Sequence, residues 1–234
     1  LGKQKRRDRK FVASLEKRNN CHISGNSAWI QERISTVYGV DSELLLPTVD
    51  ISSWIDGNGN AGDYVVTIGK ASHVKGTWDT VDMLAGTGLL LAQVGSGSKE
   101  DISQLQSHAE NLGVQLDIMP KLTQKDLVSL VKEARAVVSL AYNEPFGLTP
   151  IEAQAAGTPA LMVDEGGFRY TVEDNVSGRL LPRGDWKTWH QALEQAEDPD
   201  TRKKWTLAGR ANIEKMGLTP SNQATKLWEI FGFA

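Results

Sequence analysis

From Tyr64 onward the sequence alternates short apolar runs with longer amphipathic segments, and this alternation constrains the fold more than any other feature. The apolar runs have the length and continuity of strands that are buried on both faces. Strands that alternate with helices are typical of βαβ units, whose right-handed crossovers cover both faces of a parallel sheet. The predicted strands are 64–69, 89–94, 114–118, 136–140, 160–163 and 178–181. The sequence therefore predicts an α/β protein with a Rossmann-like, doubly wound parallel sheet.

The segments on either side of this alternation are less regular. A short β-α piece precedes it, with a helix that Ser27 or Asn26 can cap. Residues 51–63 are rich in Gly, Asn, Asp and Ser, which predicts a linker or long loop. Three helices are predicted after the last strand, at 186–197, 200–215 and 220–231. We divide the chain into a basic segment with the β-α piece, a linker, the main domain and a final helix, at 1–45, 46–63, 64–216 and 217–234.

The charge of the chain is unevenly distributed. The net charge is −3, but residues 1–10 carry six Lys or Arg and a single Asp. Such a basic segment can contact nucleic acid or an anionic membrane surface. The simpler interpretation, which we favour, is a solvated and partly disordered terminus. We expect no nucleic-acid partner, and we leave contact with a membrane surface open.

The remaining composition limits the function further. The sequence contains no apolar run of about 18 residues, so we expect no membrane span. Cys21 is the single cysteine, which excludes an intrachain disulfide. The four histidines show no metal-ligand spacing, so we expect no metal site. The expected location is cytoplasmic, with peripheral attachment to a membrane as the alternative.

One long motif stands between two of the predicted strands. Residues 143–159 read N-E-P-F-G-L-T-P-I-E-A-Q-A-A-G-T-P and predict a helix over 147–156, with Pro150 in its first turn and Gly157 after its end. Glu144 stands at the mouth of this helix and Glu152 in its first turns. An open α/β sheet binds its ligand at this position. The motif resembles the E-P-F-G-L-x-x-x-E-A-x-A-x-G-x-P signature of retaining GT-B glycosyltransferases.

This resemblance implies the C-terminal, donor-binding domain of a GT-B enzyme, preceded by a short remnant of the N-terminal domain. The donor is then a nucleotide-diphosphate sugar such as UDP-glucose or GDP-mannose. Glu144 is implied to contact hydroxyls of the donor sugar, and Glu152 to hold the ribose. The unpaired N–H groups of a helix start can cradle phosphate or sugar oxygens. These N–H groups belong to Phe146, Gly147, Leu148 and Thr149.

Two glycine-lysine pairs follow the first strand of the alternation. They are Gly69-Lys70 and Lys75-Gly76, and two ammonium groups beside a helix start make a diphosphate site. The family usually has Arg where this chain has Lys70, and lysine lacks the bidentate fork of arginine. Gly95, after the next strand, is implied to lie near the nucleotide. The alternative for Lys70 and Lys75 is that they are ordinary surface lysines, and the alternative for Gly95 is an ordinary turn between a strand and a helix.

Two further segments match the family in part. Leu122 and Lys121 follow the third strand, where the family pairs its backbone with the base; a plain connecting loop is the alternative. Residues 164–170 resemble a G-G-x-x-E loop near the donor sugar, although Tyr170 stands where Glu is common. Glu144 has the alternative role of a helix cap, and Glu152 that of a solvent-facing helix residue.

The resemblance predicts an enzyme, a hexosyltransferase to which this chain supplies the donor site through the catalytic residues Glu144, Lys75 and Lys70. Retention by front-face attack needs no protein nucleophile and, with lysines at the diphosphate, no metal or other cofactor. The acceptor, a saccharide, lipid or protein, would bind an N-terminal domain that is separate or removed. The alternatives are a half-enzyme that is inactive without that domain and an interaction subunit. A dehydrogenase is disfavoured because no G-x-G-x-x-G follows the first strand.

Overall fold

The computed structural model describes residues 2–18, 20–55 and 59–233, and the chain divides into two compact units. One unit consists of Leu1–Asp50 and Met216–Ala234, and the other is Ile51–Lys215. All of the candidate site residues belong to the larger unit.

Helices and strands follow one another along the chain with short connections. The strands are β1 (Ser24–Gly25), β2 (Glu43–Leu44), β3 (Tyr64–Ile68), β4 (Leu90–Val94), β5 (Leu116–Met119), β6 (Ala136–Ser139), β7 (Ala160–Val163) and β8 (Arg179–Leu181). The helices are α1 (Gly2–Glu16), α2 (Ala28–Tyr38), α3 (Thr77–Leu84), α4 (Lys99–Asn111), α5 (Gln124–Lys132), α6 (Leu148–Ala156), α7 (Phe168–Thr171), α8 (Trp186–Gln195), α9 (Pro199–Met216) and α10 (Pro220–Ile230), with a 3₁₀ turn at His73–Lys75.

The smaller unit contains one result that the sequence prediction missed. Residues 2–10, expected to be partly disordered, belong to helix α1. Lys, Arg and Gln are good helix formers, and after Gly2 this segment contains neither Gly nor Pro. Residues 6–10 are exposed, so the expectation of a solvated basic segment holds for them. Helix α2 begins after Ser27, which accepts a hydrogen bond from the Ile30 N–H, as its predicted cap.

The six strands β3 to β8 form one parallel sheet in the order β5-β4-β3-β6-β7-β8. The chain moves from β3 outward to β4 and β5, then returns to the other side of β3 as β6. Strands β3 and β6 are therefore neighbours whose connections leave in opposite directions. Open α/β sheets bind ligands in the crevice at the carboxyl ends of such strands. The predicted fold class is confirmed, and each observed strand begins and ends within two residues of its predicted bounds.

The core of the larger unit lies in the central strands. All four residues of β7 and the first three of β6 are buried, as are Val65 and Val66 of β3. Helices on both faces explain why these strands are continuous apolar runs and do not alternate between apolar and polar residues.

The predicted linker, 46–63, combines one buried side chain and several hydrogen bonds with many exposed residues; its residues 56–58 lie outside the described residues. Trp54 is only 1% exposed. The Asn60 N–H donates to the Lys132 carbonyl (2.7 Å), and the Gly62 N–H donates to the Glu133 carbonyl (3.0 Å). The described residues from 51 to 63 are thus tied to the end of α5, although they form neither helix nor strand.

Arg202 reinforces this connection as a buried cation. Its guanidinium donates to the carbonyl oxygens of Asn60 (2.8 Å), Arg135 (2.7 Å) and Ala196 (2.8 Å). Burial, together with the nearby charge of Arg135, lowers the pKa of Arg202 to about 10, so the group stays protonated at neutral pH. Ala196 is the C-cap of α8, and a cation at a helix C-terminus is favourable.

Candidate functional site

The candidate site lies at the carboxyl ends of β3 and β6, where Lys75 and Glu144 form an ion pair. The Nζ atom of Lys75 lies 2.6 Å from Oε2 of Glu144. The side chains are 42% and 22% exposed, so the pair is accessible to a ligand. An ion pair with this exposure contributes only about 0–1 kcal/mol to stability. A ligand can therefore open it at little energetic cost.

Gly76 explains how two residues so far apart in sequence meet. Its φ of 66° lies in the left-handed region, and a Cβ at this position would lie 1.9 Å from the carbonyl oxygen of Leu140. Leu140 directly follows β6. Because glycine has no Cβ, the 3₁₀ turn can lie against the end of β6, which places Lys75 beside Glu144.

The turns after β3 and β4 also approach each other closely. Gly69 and Gly95 have φ of 144° and 139°, and a Cβ on Gly95 would lie 2.1 Å from the Gly69 carbonyl oxygen. The buried Gln93 side chain donates to the same oxygen (2.8 Å). Lys70 comes next and is exposed; in the described part of the chain its ammonium has no ion-pair partner. The predicted Gly69, Lys70 and Gly95 thus lie at the same, carboxyl end of the sheet. Of the two predicted lysines, Lys75 is the one that pairs with Glu144 within the described residues.

The helix after β6 begins one residue later than predicted. Gly147 is the N-cap of α6, with φ of 90°, and no side chain caps this helix. The alternative of Glu144 as a helix cap is therefore wrong, since its carboxylate pairs with Lys75. Phe146 is buried, Leu148 is exposed and Thr149 is partly exposed. The first-turn N–H groups carry partial positive charge, and no side-chain cap accepts from them.

Glu152 lies farther along α6 and is only partly exposed. Burial raises the pKa of its carboxyl group. Among the residues that the structure describes, its side chain has no hydrogen-bond or ion-pair partner. The alternative of a solvent-facing helix residue does not fit this burial. Glu152 is instead a desolvated acceptor with unused hydrogen-bonding capacity.

The loop after β7, which contains the partial motif at 164–170, lies against Glu144. The Gly167 N–H donates to the Glu144 carbonyl (2.6 Å). Gly166 has φ of 58°, and a Cβ there would lie 2.7 Å from the same oxygen. Tyr170 lies on α7 and is exposed. The backbone of this loop thus helps to fix Glu144.

Leu122 lies beyond the carboxyl end of the edge strand β5, in the loop that leads to α5, and is partly buried. The next residue, Thr123, caps α5 by accepting from the Asp126 N–H. Strand β4 separates β5 from β3. Leu122 therefore lies at the same, carboxyl end of the sheet as Lys75 and Glu144. The strand that it follows, β5, is two strands away from β3, which precedes Lys75.

Sequence reasoning missed two groups that shape the site. Arg183, in the loop after β8, binds Asp79 and Glu165 and stacks on Tyr142. A single arginine after a strand is too common to be a signal. Gln93 was detectable, because it is the one polar residue in the apolar strand β4.

Two other kinds of feature are absent from residues 2–18, 20–55 and 59–233. These ranges contain no cluster of three or more His, Cys, Asp or Glu suited to a metal ion. None of their helices is both long enough and apolar enough to cross a bilayer.

Comparison with known sequences points to one family. A family model described as "Glycosyl transferases group 1" matches residues 53–212. A D-inositol 3-phosphate glycosyltransferase from Salinispora arenicola is 36% identical over 128 residues, which cover 54% of this chain and 28% of the relative. A protein of the same name from Jonesia denitrificans is 28% identical and covers 85% of this chain and 53% of its own length. The chain thus spans about half or less of these relatives.

Comparison with solved structures supports the fold. Sucrose-phosphate synthase from Thermosynechococcus elongatus aligns with a TM-score of 0.78 at 22% identity, covering 94% of this chain and 59% of the other. Anabaena Alr3699/HepE, solved in complex with UDP, aligns with a TM-score of 0.75 at 20% identity, covering 91% and 64%. At this identity the likeness establishes the shared architecture alone.

Proposed function

Because the chain belongs to the glycosyl transferases group 1 family, we propose that it supplies the donor site for a retaining transfer of a hexose from a nucleotide-diphosphate sugar. The observation that carries this proposal is the Lys75–Glu144 pair, held at the sheet's switch point beside an uncapped helix start. UDP-glucose and GDP-mannose are the proposed donors. The UDP complex of the Anabaena neighbour makes UDP the first ligand to test.

The charges suit the two ends of such a donor. An incoming diphosphate attracts the Lys75 ammonium, with Lys70 as a second cation on the same edge. The glycine turns at Gly69 and Gly95 allow the backbone to approach the phosphates closely. Glu144, once released from Lys75, accepts hydrogen bonds from sugar hydroxyls, and a carboxylate is a strong acceptor. Opening one weak ion pair thus prepares both halves of the donor site.

The remaining contacts complete the proposed donor site. Glu152 holds the ribose hydroxyls, and Leu122 lies beside the base. The N–H groups of α6 stabilise the charge that develops on the departing diphosphate. In this scheme the leaving phosphate assists deprotonation of the acceptor, so no protein nucleophile acts. Because lysines neutralise the diphosphate, the scheme assigns no step to a metal.

Binding of nucleoside diphosphates tests the proposal directly. We expect UDP or GDP to raise the melting temperature of the chain and to bind measurably by calorimetry. Lys75→Met and Glu144→Gln should each weaken binding of the matching nucleotide sugar by about tenfold, the usual size of one charge-assisted contact. The exposed Lys203→Met, on α9, is the matched control and should bind as the wild type does. Failure of UDP, GDP and ADP to bind would refute the proposed donor site.

Transfer itself is a separate question, because the chain spans only part of its relatives. We propose that the acceptor, a saccharide, lipid or protein, binds a domain outside this sequence. The rival is a half-enzyme that holds the donor and transfers nothing alone. Release of UDP from UDP-glucose by the isolated chain with an acceptor would exclude this rival. Turnover only after addition of a second chain would establish it.

A second proposal concerns the location of the protein, which we propose to be cytoplasmic with peripheral attachment to an anionic membrane. Helix α1 presents exposed basic residues and the 60% exposed Phe11. A basic residue near an anionic surface contributes about 1 kcal/mol. The basic residues concerned are Arg6, Arg7, Arg9 and Lys10.

Vesicle sedimentation tests this attachment. The chain should sediment with phosphatidylserine-containing vesicles but not with pure phosphatidylcholine, and added salt should weaken the binding because it screens exposed charge. Changing the four basic residues to Gln should abolish sedimentation. Equal sedimentation with both vesicles, or with neither, contradicts the proposal.

A further inference from the structure

Arg183 contacts two carboxylates, a backbone carbonyl and an aromatic ring near the candidate site, and it was not among the predicted site residues. It lies in the loop after β8, and its side chain is 19% exposed. It binds Glu165 in a bidentate manner, with Nε to Oε1 at 2.9 Å and Nη2 to Oε2 at 3.0 Å. It also forms an ion pair with Asp79. One guanidinium thus joins a carboxylate of helix α3 to a carboxylate of the loop after β7.

The same guanidinium contacts the end of β6. Its Nη1 donates to the carbonyl oxygen of Leu140 (2.9 Å), and its central carbon lies 3.6 Å from the centre of the Tyr142 ring. The Tyr142 hydroxyl donates to Asp79 (2.8 Å), and its backbone N–H donates to the Val74 carbonyl (2.9 Å). These contacts join four side chains into one cluster: Arg183, Asp79, Glu165 and Tyr142.

Each segment that this cluster joins is next to a part of the Lys75–Glu144 pair. Asp79 lies in the first turn of α3, which begins directly after Gly76. Leu140 is the residue against which Gly76 packs. Glu165 precedes Gly166 and Gly167, which contact the Glu144 backbone. Arg183 thus connects the segment that carries Lys75 with both segments that position Glu144.

The charges of the cluster show what loss of Arg183 would do. Asp79 and Glu165 are 24% and 31% exposed and share this one cation. Burial alone would lower the pKa of Arg183, but hydrogen bonds and the charge of Glu165, with Asp79, raise it, so the cation is firmly held. Without it, two carboxylates would face each other across the junction of α3 and the loop after β7. Two carboxylates that lose their shared cation repel each other, which weakens the connection between α3 and the loop after β7.

We propose that Arg183 is a positioning residue that sets the distance between Lys75 and Glu144 for the diphosphate and sugar of the donor. This inference rests on the proposed function for its ligand. It differs from a general stabilising role, because the contacts of Arg183 converge on one end of the donor site. Within the described residues, Arg183 has no hydrogen bond or ion pair with Glu152 or Leu122, the proposed ribose and base contacts.

The test compares the binding of a nucleotide sugar with the binding of the monophosphate of the same nucleoside. The two pairs of probes are UDP-glucose with UMP, and GDP-mannose with GMP. Arg183→Met should weaken binding of the nucleotide sugar by about tenfold or more, as expected when reacting groups are misplaced. Binding of the monophosphate should change by less than about twofold, since it does not need the Lys75–Glu144 spacing. Arg183→Lys should recover little of the loss, because lysine cannot form the bidentate and stacked contacts.

The chain provides a matched control in Arg179, the first residue of β8. Its side chain is 17% exposed and binds Asp174 and Gln195, and within the described residues it has no hydrogen bond or ion pair with Lys75 or Glu144. Arg179→Met should leave both affinities unchanged. In a Glu144→Gln background, Arg183→Met should cause little further loss, because both changes remove the same contact. Full additivity of the two losses would contradict the proposal.

A crystal structure of unliganded Arg183→Met gives a result that does not depend on the donor. We expect the Lys75 Nζ to Glu144 Oε2 distance to exceed 4 Å; an unchanged pair overturns the inference even if nucleotides bind. If the wild type binds none of the probes, the proposed function fails, while this distance still decides the role of Arg183. Equal losses for sugar nucleotide and monophosphate would show a merely structural role. Glu165→Gln, judged by the same criteria, replaces Arg183→Met should that variant not fold.

Discussion

Gly76→Ala is expected to lower the free energy of unfolding by about 4 kcal/mol, in the range that point mutations reach only through severe local conflict. The added Cβ would lie 1.9 Å from the oxygen and 2.4 Å from the carbon of the Leu140 carbonyl. Those atoms are backbone at the end of β6, so they cannot rotate away as a flexible side chain would. Either the 3₁₀ turn or the strand end must move. Urea unfolding, with the slope checked for a change in the denatured state, measures the loss.

The chain supplies a control for the backbone conformation itself. Gly86 has φ of 80°, similar to the 66° of Gly76, but a Cβ there meets nothing within 4 Å. Gly86→Ala should therefore cost only the left-handed conformation, about 1–2 kcal/mol. The difference between the two variants isolates the clash with Leu140. Equal losses would show that the close approach of the 3₁₀ turn to β6 does not hold in solution.

Glu152→Met is expected to weaken nucleotide-sugar binding by about a hundredfold while raising the melting temperature. In the proposed role the carboxylate accepts two hydroxyl hydrogen bonds, each worth about 1.5 kcal/mol when charge-assisted. In the free protein the same carboxylate is desolvated and has no partner among the described residues. Methionine of similar length removes the buried charge. Calorimetric binding and thermal unfolding on the same sample measure the two opposite effects.

The pH dependence of stability separates this explanation from a packing effect. Burial raises the pKa of folded Glu152 above its unfolded value. Its favourable contribution is therefore complete below the unfolded pKa, near 4.3, and is lost as the pH rises through the raised folded pKa. The stability advantage of Glu152→Met should accordingly grow across that window and then stay constant. An advantage that is the same at every pH would indicate better packing and not removal of a buried charge.

The fold was largely predictable because the sequence of each buried strand is itself a continuous apolar run. A run such as Ala136–Ser139 is apolar throughout, which a strand covered on both faces requires. Gly147 and Gly157 bound α6 through positive φ, so both ends of that helix were visible as well. Helix α1 was missed because most residues of its first half are charged. Such a segment has no apolar stripe from which a helical period could be recognised.

The site was predictable as a set of residues but not as a geometry. The motif at 143–159 predicted that Glu144 follows the end of one strand, β6. The glycine-lysine pairs predicted that Lys75 follows the end of another strand, β3. Their contact depends on β3 and β6 being neighbours, which follows from the strand order and not from either motif. The Arg183 cluster depends on the same order, since Arg183 and Asp79 are 104 residues apart. Local patterns carry no record of such pairings.

The Lys75–Glu144 pair has a consequence for which anions the site favours. Each partner neutralises the other, so Lys75 itself is not an unpaired cation in the free protein. A simple anion such as inorganic phosphate would take the lysine and leave Glu144 with no compensating donor. A ligand that brings an anionic group and hydroxyl groups together satisfies both partners at once. In the proposed function the pair thus favours a nucleotide sugar over a small anion, because a small anion can bind only Lys75.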